Sequence, residues 1–452
     1  MKRTVLAFFA AGSLLWSALS HAATRPGYGG TLRVNMRLSS TSLDPADVVQ
    51  SGSFAGNNIS SLIFDTLVTL DRRGVAHPAL AISWQSETGG QRWQFKLRTG
   101  VKFNDGTSLT AEQVAASLRA ANPSWKIVAS GDGITIERDV PDAAMPAELA
   151  MERNAIARRG GSAIQGTGPF AIQQWDAGKK LILSANNDYW DGRPYVDSVE
   201  ILMGQGLREQ MLALDLGKAD VIEVAPEQAR RAATEGRHVE SSDPSEFMAL
   251  VFAGNVSDEA TAGLREALNA SINRSALANV LLQGGGDPSA ALLPNWLSGY
   301  GFLFSPPSDA GSHPAQTSRQ AVNWSLAYDA NDPLARVVAE RIVLNARDAG
   351  ISLQPGTTNK PDLRLVRTPL ASLDVRLALM TLADSLRLPK PNLASESPEA
   401  LYAGESGLLH SRIVIPLLHL RASYGLSAKV RGWRNTPDGR WYLNGVSLDA
   451  RK

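Results

Sequence analysis

The chain has 452 residues, with 45 Lys plus Arg against 44 Asp plus Glu, 39 Gly, 24 Pro and no Cys. That length buries a substantial core and divides into two or three domains without covalent staples. The lack of Cys excludes disulfides, thiolate metal sites, iron–sulfur clusters and thiol nucleophiles. The balanced charge argues against a nucleic-acid partner, whose binding rests on neutralising phosphates.

Met1, Lys2 and Arg3 form a basic start, followed by an apolar run over residues 4–19 that ends in Ser20, His21, Ala22 and Ala23. This is the pattern of a secretory signal cleaved after about residue 22, since the run is short for a membrane span and its end is small enough for a peptidase. Removing residues 1–22 takes Lys2 and Arg3 with it and turns the formal charge slightly negative. Acylation at a cleavage-site Cys is closed to this chain, so the mature protein is expected to diffuse freely, most simply in a Gram-negative periplasm.

Leu32, Val34 and Met36 alternate as a strand with one buried face. Ser42-Leu43-Asp44-Pro45 breaks it, and the small, polar stretch 50–58 reads as a loop. Trp93, Phe95 and Leu97 sit at period two, Asn104-Asp105-Gly106 supplies a turn, and Thr110 with Gln113 makes a capping box before the helix face of Val114 and Leu118. The Gly/Ser-rich stretch 162–168 reads as a domain boundary. Short strands are expected over 180–184, 199–203 and 220–224, with a helix over 207–216. Leu264, Ala267, Leu268 and Ile272 recur at helical spacing, and a second helix through Leu277, Val280 and Leu281 stops at Gly284. Residues 322–328 alternate as a strand. Asp332 caps the next helix, Pro333 opens it, Leu334, Val338, Ile342 and Ala346 line one face, and Ile351 and Leu353 resume a strand. A strand–helix–strand unit packs as a crossover, so this half is an α/β lobe.

No Walker A, G-x-S-x-G, H-E-x-x-H or EF-hand pattern is present. His77, His238, His313, His410 and His419 are scattered, with no carboxylate or third imidazole at ligand spacing, so no metal site is expected. Gly284–Gly286 follows a helix instead of opening one and reads as a turn. Glu200, Asp220 and Glu223 would serve as acid and base only if folding brought them together. No cofactor is expected, and binding is favoured over catalysis.

The run LRTGVKFNDGTSLTAEQV, from Leu97 to Val114, resembles the signature of the family 5 extracellular solute-binding proteins, the peptide- and nickel-binding receptors of ABC importers. SLDPA at Ser42, GTGPF at Gly166 leading to NNDYWDGRPYVDSVEI, LREALNASINRSAL at Leu264 and IPLLHLRASYGLSAKVRGW at Ile415 agree with that family in the same order. The resemblance implies an α/β, two-lobed periplasmic-binding-protein fold (type II, cluster C-like) with an inserted subdomain in lobe I. Lobe I maps to residues 24–258 plus 412–452, the inserted subdomain to about 56–165 and lobe II to 259–411, with hinge crossings near Asn255 and Ser411.

By the same resemblance, Gln50, Ser51, Gly52, Ser53 and Phe54 are candidate ligand contacts, joined by Trp125, Trp296 and Tyr300. Core packing is an equal alternative for each of those three aromatics and the favoured reading for Tyr189 and Trp190. The implied function is a periplasmic receptor, expected as a monomer, that captures peptides or peptide-like solutes by hinge closure and delivers them to an ABC permease and ATPase. Two departures stand out. Peptide-binding relatives anchor the ligand amine with an Asp in a W-x-x-D-Y-x-D-P-like segment, and neither Asp374 nor Asp384 sits in that pattern. The inserted subdomain and the end of lobe II are also short. A sugar oligomer, opine-like conjugate or metal chelate is therefore an alternative cargo, a signalling or chaperone-like module a further alternative, and a secreted hydrolase the enzyme alternative.

Overall fold

The computed structural model describes residues 27–47, 53–87, 89–160, 163–253, 259–305, 322–356, 360–393 and 395–449. The first expected strand is β1 (Thr31–Asn35), with Leu32, Val34 and the following Met36 buried. The next stretch departs from the sequence reading. Ser53 caps α1 (Phe54–Ile63), its hydroxyl accepting from the Gly56 N–H at 2.9 Å, within residues whose composition reads as loop. Gly56, Asn57 and Asn58 are poor helix formers, yet all three are buried in α1, so packing outweighs propensity there.

The following residues build a small unit with its own core. A hairpin of β2 (Val68–Leu70) and β3 (Ala76–Pro78) precedes β4 (Ala81–Ser86), β5 (Arg92–Leu97), α2 (Ala111–Ala121), β6 (Lys126–Ser130) and β7 (Gly133–Glu137). These strands form a sheet of order β4-β5-β7-β6 whose inner residues Trp93, Phe95 and Leu97 cluster with Val114 and Leu118 of α2. The expected capping box is present: Thr110 N–H donates to the Gln113 amide oxygen at 2.8 Å, and Gln113 N–H to the Thr110 hydroxyl at 3.3 Å. A short α3 (Met145–Glu148) and the pair β8 (Ala157–Arg158) and β9 (Gln165–Gly166) lead back to the main sheet. Gly168 is required there for close approach, because a Cβ would lie 2.5 Å from the Ile63 carbonyl carbon.

The main sheet then takes β10 (Phe170–Asp176), β11 (Lys180–Ala185) and β12 (Ser198–Leu202), followed by α4 (Leu207–Asp215), β13 (Val221–Val224), α5 (Pro226–Thr234), β14 (His238–Phe252) and α6 (Glu259–Ser271). The helix expected through Leu277 starts at Arg274–Ala276 and continues as a π-helical turn over Leu277–Leu281. Next come β15 (Gly286–Pro288), β16 (Val322–Ala327), α7 (Pro333–Asp348), β17 (Ile351–Gly356), β18 (Leu363–Pro369), α8 (Val375–Leu386), α9 (Pro398–His410) and β19 (Val414–Leu426). β16 and β17 pair in parallel around α7, as the crossover reading requires.

The strand order is β10-β11-β12-β1-β13-β19-β14-β18-β16-β17, with β15 added on β19. β14 and β19 run through both halves of this sheet. Near Ser423–Leu426, β19 pairs with β13; near Glu246–Phe252, β14 pairs with β18. Between those halves the β14–β19 register shifts twice, at Ser241/Pro244 and Pro244/Glu246. One half packs Leu32, Phe170, Ile201 and Val221 into a common core. In the other, Met248 and Leu250 face Leu268 and Ile342, while Phe247, Ala249 and Val251 face Leu379, Leu382 and Leu408. This two-sided burial follows from the period-two alternation of side chains along β14. The result is a two-lobed α/β fold.

Candidate functional site in the interlobe cleft

Beside the register break, two cavities open between the lobes and share Phe54, the first residue of α1. The larger, about 260 Å³, is bounded on the lobe I side by Phe54, Asn57, Met151, Glu152 and Arg153, and by Asp438 and Arg440 near the end of the chain. Lobe II faces it with Thr368 to Ala371 at the end of β18 and with Thr381, Leu382, Asp384 and Ser385 on α8.

The lobe I side is charged and already organised. Arg440 Nη1 donates to Glu152 Oε1 at 2.6 Å, and its Nε donates to Asp438. Burial works against the Arg440 charge, but the two carboxylates prevail and hold it above its ordinary value. Burial likewise raises the Glu152 carboxyl, with Arg440 opposing. Arg153 Nη2 donates to Glu148 at 2.6 Å. Three buried polar atoms on this side have no hydrogen-bond partner, the Asn57 side-chain oxygen, Glu152 Oε2 and Arg153 Nε. An unmet buried donor or acceptor costs about 1–3 kcal/mol, a deficit that a ligand in the cavity can offset.

The smaller cavity, about 70 Å³, lies against the break itself, with Arg37 and Glu223 from lobe I, Glu246 and Arg421 from the long strands, and Asp332 and Arg367 from lobe II. Arg367 Nε donates to Glu246 at 2.7 Å and Nη1 to Asp332 at 3.3 Å. Burial opposes the Arg367 charge, and the two carboxylates outweigh it. Glu223 is raised by burial although it accepts the Arg37 N–H at 2.7 Å.

A third cavity, about 550 Å³, lies under the β2–β3 hairpin, almost wholly within lobe I and the small unit. Its half-buried Asp65 is occupied by Tyr189 Oη at 2.9 Å, Trp190 Nε1 at 3.0 Å and Thr167 Oγ1 at 2.9 Å. Tyr189 and Trp190 thus act as packed anchors of the fold.

Of the residues singled out from sequence, Gln50, Ser51 and Gly52 lie outside the described residues. Ser53 caps α1, and Phe54 lines both interlobe cavities. Trp125 is buried in the small unit's core with Arg138 stacked 5.2 Å from its ring. Trp296 donates from Nε1 to the Pro244 carbonyl at 2.8 Å, and Tyr300 is buried against Phe304 and Tyr402. None of those three aromatics lines either interlobe cavity. Asn57, Glu152, Arg153, Asp438 and Arg440 carried no sequence signal beyond their type, because only folding brings α1, the turn after α3 and the chain's last segment together.

A sequence profile described as "Bacterial extracellular solute-binding proteins, family 5 Middle" matches residues 75–368. The chain belongs to this family. Its members are solute-binding proteins. The chain is 25% identical over 243 residues to the nickel-binding protein NikA of Staphylococcus aureus, covering 50% of this chain and 49% of that one. It is 26% identical over 280 residues to the glutathione-binding protein GsiB of Escherichia coli K12, covering 56% and 54%. The chain therefore spans about half the length of these curated relatives. Among solved structures, the binding protein AgaA of A. tumefaciens R10 in complex with agropinic acid superposes with a TM-score of 0.78 at 18% identity, over 94% of this chain and 99% of that one. Among the described residues, no helix is long and apolar enough to cross a membrane.

Proposed function

We propose that this protein is the substrate-binding receptor of an ABC importer, exported through a cleaved signal over residues 1–22 and acting as a freely diffusing periplasmic monomer. It takes a peptide or peptide-like solute into the cleft and presents it, by hinge closure, to an inner-membrane permease and its ATPase. The observation that carries this reading is the set of unpartnered atoms on the 260 Å³ cavity, acceptors at Asn57 and Glu152 and a donor at Arg153, which together match an amide or amino-acid group. We place the hinge at the double register shift at Ser241–Glu246, ahead of the crossing expected near Asn255, which lies outside the described residues, since an irregular ladder bends more readily than a regular one.

The cavity volume falls just below the range of about 300–1,000 Å³ for small-molecule sites, so a short solute fits better than a long peptide. One observation favours a second cargo: the loop after β18, which presents Thr368, Pro369, Leu370 and Ala371 to the cavity, carries no carboxylate to hold a free amine, leaving Asp384 of α8 as the acidic lining residue of lobe II. An opine-like conjugate or a metal chelate needs no such anchor. Native mass spectrometry of protein purified from a bacterial periplasm decides between them. Co-purifying short peptides support the first reading; a sugar–amino-acid conjugate or metal complex establishes the second.

A further inference from the structure

The small unit is fastened to lobe I. Asn104 N–H donates to the Gly166 carbonyl at 2.8 Å and its side chain to the Phe170 carbonyl at 2.8 Å, while Glu152 takes the Arg440 guanidinium at 2.6 Å. The same unit also grips lobe II, next to the ligand cavity.

Leu377, in the first turn of α8, is 8% exposed and packs with Ala144, Ala147, Met151 and Leu70 of the small unit. Its neighbour Arg376 places Nη1 3.5 Å from Asp142 Oδ1. Gly74, at the tip of the β2–β3 hairpin with φ +76°, sits so close that a Cβ would lie 2.8 Å from the Leu373 carbonyl oxygen. On the same hairpin, Arg72 pairs with Asp243 at 2.9 Å and lies 5.8 Å from the Trp296 ring centroid. Asp243 belongs to the register break, and Trp296 bonds the Pro244 carbonyl there. The Leu377, Arg376 and Gly74 contacts thus run from the small unit to lobe II, the Arg72 contacts reach the hinge and Trp296 of lobe II, and Leu377, Arg376 and Arg72 are not on the lining of the 260 Å³ cavity.

We infer that the small unit is a closure latch, which holds lobe II against lobe I through Leu377, Arg376 and Arg72 before any ligand arrives. Because the unit travels with lobe I, these contacts form and break with the hinge. One ion pair with an exposed arginine, one half-buried pair and one apolar side chain bias such an equilibrium without locking it. Apparent affinity scales with the fraction of molecules already in the binding-competent state, so the latch sets affinity from outside the ligand's own contacts. Its use rests on the receptor reading; its geometry does not.

The absence of Cys permits a direct test. Val128→Cys on the small unit and Leu344→Cys on lobe II, 58% and 50% exposed in the parent chain, accept spin labels without competing thiols. Double electron–electron resonance is then recorded on full-length protein freed of solute by dilution from denaturant. The expected result is a mainly short interlobe distance in the parent and a shift of about half or more of the population to longer distance in Leu377→Asp, with a smaller shift in Arg72→Gln/Arg376→Gln. Leu377 faces solvent once the lobes part, so the fold tolerates the change; should Leu377→Asp misfold, the doubly substituted surface variant decides. Identical distributions in folded parent and variants overturn the latch, as does a ligand-free parent that is wholly open. If the variants open but no solute is ever found bound, the latch stands and the receptor reading falls.

Discussion

The two faces of the 260 Å³ cavity solve the same problem differently. Lobe I puts ionised groups on the surface the ligand meets, pre-paired as Glu152, Arg440 and Asp438. Lobe II presents Thr368, Pro369, Leu370 and Ala371 at the end of β18, with Asp384 of α8 as its ionisable lining residue, and buries further ionisable groups in its core. There, Glu405 on α9 accepts the Leu292 N–H at 2.6 Å and the Leu293 N–H at 3.2 Å, while His419 on β19 bonds the Leu292 carbonyl at 3.0 Å. Fixed, paired charge on one side orients a polar solute, and a mostly neutral opposing side lets several chemistries close against it. Orientation and tolerance are thereby assigned to different lobes.

Breaking the charged side should have the largest effect. Arg440→Met strands two buried carboxylates and is expected to cost about 3–5 kcal/mol, read from urea unfolding. The hidden groups of lobe II come next. Burial pushes Glu405 up to about 7 from 4.5 against the two N–H donors, and pushes His419 down to about 4 from 6.5 against its carbonyl partner. The raised Glu405 gives stability that is complete below pH 4.5 and lost as pH rises through about 7; the lowered His419 gives stability present above 6.5 and lost as pH falls through about 4. Relative to the parent, Glu405→Gln should therefore gain stability with rising pH over 4.5–7, and His419→Gln should lose it over 4–6.5, each by about 1.4 kcal/mol per unit in urea titrations.

Phe54→Ala removes the apolar residue common to both cavities and should weaken solute binding by about 1.5–3 kcal/mol in calorimetry. The smallest effect sharpens the contrast instead of breaking it. Ala371→Asp places a carboxylate on the mostly neutral side and should favour free-amine tripeptides over their N-acetylated forms by about 1 kcal/mol. Equal affinities before and after would show that Ala371 does not meet the ligand's end.

Local chemistry made much of the fold legible. The capping box at Thr110 and Gln113, the Asp332–Pro333 helix start and the alternation at Trp93, Phe95 and Leu97 all act within one or two turns of chain. α1 was hidden because Gly56, Asn57 and Asn58 are helical only by virtue of burial in the assembled molecule. The site was less legible for the same reason. Phe54 sits beside a motif, but Arg440 meets Glu152 across 288 positions of sequence, and no local pattern encodes that encounter. Trp125 and Tyr300 show the converse: large aromatics draw attention in a sequence, and here they fill cores.

β19 lies at the centre of the main sheet, between β13 and β14, yet it is the last of the strands described there to be synthesised. Until residues 414–426 emerge from the ribosome, each lobe's portion of the sheet lacks its middle, and pairing it demands contacts of high sequence separation, which form slowly. A nascent chain of this topology stays unfinished until that strand appears, the state in which a polypeptide can still be threaded through a narrow pore.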